Sequence, residues 1–276
     1  MSETPKIDLS NIVVPESVDK AIMNITDKPT QEIGSMFNDL FYLIFGGIHF
    51  QADKWRVKRE HALSEFKKSL ENKLNMIPEN KRAELDLQIV ATTLENAKFC
   101  IENKTVREMF ANLLASSLNS DKESSIHPSF SNIIKQMSPL EARIFANLDP
   151  GKVYPICECY SVKNGIWHGL FTNVLLANNE VINLTNLRLR SVAITSLNRL
   201  GILSLSYDHK VENSLYSRYL QNNAFEFLTK HYEELGETVE IRRGTLELNP
   251  LGQDLWSTCC EGIKPEISDN FPPSFL

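Results

Sequence analysis

The sequence predicts a mainly α-helical protein with a smaller α+β part: a helical N-terminal domain followed by a winged-helix-like C-terminal domain. Three observations carry this. Apolar residues recur at three- and four-residue spacing in successive stretches up to Leu148, the pattern of amphipathic helices. Asp149-Pro150-Gly151 then reads as a turn. Beyond it β-branched, aromatic and glycine residues enter, in the order helix, strand, excursion, strand, helix. The division expected is a polar segment at 1–32, an all-helical domain at 33–150, a winged-helix-like α+β domain at 151–263 and an extended tail at 264–276.

The polar segment holds one short amphipathic stretch, Val18, Ala21, Ile22 and Ile25. Ile33–Phe50 is the most hydrophobic stretch, ending at Gly46-Gly47, and reads first as a core helix. Because Lys54, Arg56, Lys58 and Arg59 follow it, a membrane-active segment is the second reading. A long helix is expected from Ala52 to Ile77, with Leu63, Phe66, Leu70, Leu74 and Ile77 as its stripe and Pro78 at its end. Leu87–Ile101 gives the next helix. Thr105 with Glu108 and Ser138 with Glu141 have the spacing of capping boxes, and Pro128 and Pro139 read as first helical residues. In the second half, Asn183–Leu200 is a helix stopped by Gly201, and Ile202–Tyr207 and Thr245–Leu248 are partner strands. A helix around Ala224–Leu235 fills the excursion, and Asn249-Pro250 opens the last helix.

The bulk numbers set limits. A chain of 276 residues with 42% hydrophobic content can bury a substantial core. The net charge of −6, negative in both halves, gives no general attraction for nucleic acid. Ser2, Glu3, Thr4 and Pro5 make a polar start without a secretory pattern, and no run reaches the roughly 20 apolar residues of a membrane span. The five cysteines are therefore read as reduced and the protein as cytoplasmic.

Candidate chemistry is sparse. Cys157-x-Cys159 and Cys259-Cys260 lack the spacing of zinc ligands, so no metal is expected. No phosphate-binding loop, G-x-S-x-G or H-E-x-x-H is present, and no cofactor is expected. Arg56 and His61 fit the Arg-x₄-His pattern and so resemble the HEPN ribonucleases. In that reading His61 would be the general acid or base and Arg56 would stabilise the phosphorane. A solvated basic helix face explains the same spacing more simply, and an enzyme is the less favoured reading. On the Asn183–Leu200 helix, Arg188, Ser191, Thr195 and Asn198 fall opposite the leucines, where a recognition helix would present polar groups. Arg242 and Arg243 are the concentrated positive charge on the presumed wing. The acidic balance of this half favours docking of a protein over DNA.

Val106-Arg107-Glu108-Met109-Phe110-Ala111-Asn112-Leu113-Leu114-Ala115-Ser116-Ser117-Leu118-Asn119, continued by His127-Pro128-Ser129-Phe130 and Ser138-Pro139-Leu140-Glu141-Ala142, resembles the Abi-alpha (abortive infection alpha) family of bacterial proteins. Phe45-Gly46-Gly47-Ile48 and the basic helix after it are also similar, and the resemblance runs over about residues 33–260. It implies a role in anti-phage defence and carries no catalytic residue onto this chain. The expected function is defence by binding a partner, phage-derived proteins included. A ribonuclease or a membrane-active toxin is the alternative, and a homo-oligomer is compatible with either.

Overall fold

The computed structural model describes Ile44 and residues 53–84, 86–175, 183–221 and 223–263, with backbone alone at 53–57 and 218–220. The expectations for the polar segment, for the extended tail and for most of Ile33–Phe50 lie outside the described residues. Ile44 is the exception: it is helical and buried in the main core.

From Asp53 on, the described residues form α1 Asp53–Asn75, α2 Leu87–Ala97, α3 Lys104–Ser116, α4 Phe130–Gln136 and α5 Pro139–Ala146. The stripe Phe66, Leu70 and Ile77 of α1 and the segment after it is buried, as its period requires. Helix α3 lies at the centre, packing on α1, α2, α4, α5 and the last helix of the chain. Ten of its residues, Thr105, Val106 and Met109–Ser116, are buried. Phe66, Phe110, Phe130 and Phe145 are wholly enclosed, and burial of such a side chain contributes roughly 1.5–3 kcal/mol.

Local chemistry sets most helix starts. Asp86 caps α2 by accepting the N–H groups of Gln88 and Ile89. Ser138 and Glu141 form the reciprocal box at α5, with Pro139 at its first position. The Thr105 box does not form. Asn103 takes the cap by accepting the Val106 N–H, so Thr105 is a buried residue inside the first turn. Glu108 turns instead to α1, where it meets Ser69 and Lys73. Pro128 also precedes its helix rather than opening it, since α4 starts at Phe130 behind Ser129. Helix α2 ends at Ala97, short of Ile101, because Lys98–Glu102 folds into turns.

Residues 154–248 build a four-stranded antiparallel sheet in the order β2-β1-β4-β3, from β1 Tyr154–Lys163, β2 Ile166–Val174, β3 Leu203–Ser206 and β4 Thr238–Leu248. The β3–β4 pairing expected from the sequence is present, Leu203 facing Leu248 and Ser206 facing Thr245. The β1–β2 hairpin is an addition to the sequence reading. It turns at Asn164-Gly165, both at positive φ as a tight hairpin demands. Irregular register around Cys157–Tyr160 goes with the curl of the sheet.

Helix α6, Leu184–Arg199, is capped by Asn183 and followed by Gly201 at φ +75. Helices α7 Asn213–Leu220 and α8 Asn223–Glu234 fill the excursion, and α9 Pro250–Cys259 starts at its Asn249 cap. One face of the sheet, with Cys157 and Cys159, forms a small core with Tyr216, Phe225 and Leu228 of α7 and α8. The main core runs without a break across the Asp149–Gly151 turn, joining Phe110 and Phe145 to Ile194, Leu246 and Leu255. Among the described residues no helix is long and apolar enough to cross a membrane.

Candidate functional site

Alternation along a strand sends neighbouring side chains to opposite faces. In β1 and β4 this puts Cys157, Cys159, Ile241 and Arg243 toward α7 and α8, leaving Glu158, Tyr160, Glu240 and Arg242 on the other face. At Ile156 and Leu246 that second face packs into the main core, and beyond them it is open. A groove of about 690 Å³ lies along it, lined by Tyr160, Trp167, Tyr207, Lys210 and the β4 segment from Val239 to Arg243.

Its walls are ordered by a connected set of contacts. The Tyr160 hydroxyl donates to Glu158 Oε2 at 2.7 Å, and its ring meets the edge of Trp167 at 5.4 Å between centroids. Glu158 also faces the Arg242 guanidinium at 3.4 Å, and that guanidinium lies 5.0 Å over the Tyr207 ring. The Tyr207 hydroxyl donates to Asn173 Oδ1 at 3.0 Å, and Asn173 Nδ2 donates in turn to Thr195 Oγ1 at 3.0 Å. Tyr207 can lie there because position 244 is glycine: a Cβ would come within 2.6 Å of the Tyr207 ring and the Ser206 carbonyl oxygen. Hydrogen bonding to Glu158 raises the Tyr160 pKa, and burial, then the Glu158 charge, raises that of Tyr207. Both phenols stay protonated donors. Trp167 is 53% exposed, a large apolar surface left facing water at the groove's rim.

The residues singled out in the sequence divide between three places. Arg242 is in the groove. Arg243 turns to the other face, where it donates to Asn213 Oδ1 at 2.8 Å and lies over the Tyr216 ring. On α6, Arg188, Thr195 and Asn198 are exposed, and Thr195 joins the groove network through Asn173. Ser191 is buried and donates to the Thr172 carbonyl at 2.5 Å, so it holds α6 against β2 rather than facing outward. The backbone of Arg56 lies in α1 and its side chain is not among those described; His61 is exposed on the same helix. Nearby, Lys58 pairs with Glu102 at 3.0 Å, and Arg59 donates to the Lys98 carbonyl with its guanidinium over Phe99. Sequence reasoning did not find Glu158, Tyr160, Trp167, Asn173, Tyr207 or Lys210. The Asn164-Gly165 hairpin signal would have placed Tyr160 and Trp167 close together across two strands.

Other chemistry is poorly served. Burial pushes the Cys159 thiol up to about 12 and holds Cys157, Cys259 and Cys260 well above the ordinary range, which keeps them weak nucleophiles. Among the described residues, no three His, Cys, Asp or Glu side chains are grouped to hold a metal ion. A second cleft, of about 200 Å³, lies between α1, α3 and α9. Most of its polar groups already have partners: Asn112 Nδ2 donates to the Cys259 and Glu261 carbonyls, Ser116 Oγ to the Thr258 carbonyl, and Lys73 and Lys122 pair with Glu108 and Glu261, whereas the buried Thr258 Oγ1 has none among the described residues. Asn112 and Ser116 thus satisfy the last carbonyls of α9, the groups that any helix leaves open.

No curated protein and no solved structure matches the chain. The abortive infection alpha family matches residues 58–259, which run from within α1 to the end of α9 and take in the groove. By that match, over most of its length, the chain belongs to the abortive infection alpha family.

Proposed function

We propose that this is an anti-phage defence protein of the abortive-infection type that acts by binding a protein partner in the groove on the open face of its sheet. The observation that carries the reading is the pairing of exposed Trp167 with Tyr160, Tyr207 and Arg242 in one open groove. Aromatic and arginine side chains are the groups that anchor protein interfaces. Glu158 and Glu240 beside them make the groove unsuited to a phosphate backbone. The order α6, β3, β4, α9 supports a winged-helix-like part whose wing is replaced by α7 and α8, a form compatible with docking a protein.

A photo-crosslinking residue at position 167, in cells challenged with phage, tests this reading. The expected result is an adduct with a polypeptide other than the chain itself, absent when the crosslinker is moved to position 61. No adduct from position 167 in a protective protein contradicts it. The ribonuclease reading is favoured instead if His61→Ala abolishes protection in a folded protein.

A further inference from the structure

Strand β4 is longer than the strand beside it. On one side β1 pairs with it from Thr238 to Leu246; on the other, β3 reaches only Thr245–Leu248. Tyr207 and Tyr216 close off Gly244. The edge of Thr238–Arg243 therefore has no strand beside it among the described residues. Such a row of unused N–H and C=O groups is a template for one more strand.

The charges on this edge select which strand fits. Glu240 and Arg242 are two residues apart and share the open face, both exposed. Among the described residues Glu240 has no ion pair, and Arg242 has only Glu158, at 3.4 Å. Let a second β4 lie antiparallel with Ile241 facing its own counterpart. Each Glu240 then stands directly opposite the other copy's Arg242, twice over, across a two-fold axis. A shift of two residues one way sets Glu240 against Glu240, and the other way Arg242 against Arg242; like charges directly opposite are destabilising. A shift of one residue mismatches the alternating backbone groups. The sequence of this edge is charge-complementary to itself in one register. On the reverse face the half-buried Ile241 side chains cover each other, and Val239 meets the aliphatic stem of Arg243.

We propose that β4 pairs with β4 of a second copy about a two-fold axis at Ile241, joining two sheets into one of eight strands. The same Val239–Arg243 segment lines the groove, so the second copy's strand lies along its β4 side and competes there with any other partner.

Sedimentation equilibrium on the full chain tests it. Wild type is expected at twice the 31.4 kDa chain mass in the micromolar range. Glu240→Arg and Arg242→Glu should each weaken the dimer about tenfold or more, and the double exchange should restore it, since opposite charges again face each other. Register is read separately: Ile241→Cys should crosslink to its own counterpart on mild oxidation, whereas Val239→Cys should not. A monomeric wild type, a Glu240→Arg protein that dimerises as well as wild type, or a folded double exchange that stays monomeric overturns the proposal. Because Glu240 has no ion pair among the described residues, Glu240→Arg and the cysteine pair remain informative if Arg242→Glu fails to fold.

Discussion

The helical region and the open face of the sheet use polar side chains in opposite ways. Around α3, polar groups are spent within the fold: Asn112 and Ser116 satisfy the carbonyls of α9, Glu108 meets Ser69 and Lys73, and Asn96 bonds Ser131, Asn132 and Lys135. On the sheet, Trp167 and Arg242 are exposed, and the contacts they make hold them in place without covering them. The Val106–Asn119 segment, on which the sequence resemblance rests, thus has its polar side chains engaged inside the fold. Motif strength and site location are separate questions in this chain.

The difference can be broken at several strengths. Phe110→Ala empties the middle of the main core and should cost about 3–5 kcal/mol, read as a large fall in the urea midpoint. Asn112→Ala leaves the carbonyls of Cys259, at the end of α9, and of Glu261, just beyond it, without their donor and should cost about 1–3 kcal/mol by the same assay. Ser138→Ala and Asn103→Ala each remove an N-cap and should cost about 1 kcal/mol. If Asn103→Ala has no effect while Thr105→Ala has the full one, the assigned start of α3 is wrong. Trp167→Ala should change stability by less than about 0.5 kcal/mol, since its side chain faces water.

What the sequence disclosed follows the range of the interactions involved. The Ser138-Pro139-Leu140-Glu141 box, the Asn249-Pro250 start and the Gly201 stop are set by a few adjacent residues, so they could be read directly. Thr105 was misread for a local reason: Asn103, two residues earlier, offers the same oxygen to the same helix end. The groove is different. It joins Glu158, Tyr160 and Trp167 to Asn173, Tyr207 and Arg242, and only strand pairing brings them together. Arg242 and Thr195 could be named from charge and helix face, whereas the aromatic residues between them could not.

The central claim is that protection depends on the open face of the sheet. The most direct test is the efficiency of plating of phage on cells that produce Trp167→Ala, with the purified variant's urea midpoint measured in parallel. The expected result is a wild-type midpoint with protection lost. A variant with a wild-type midpoint that protects as well as the parent would contradict the claim.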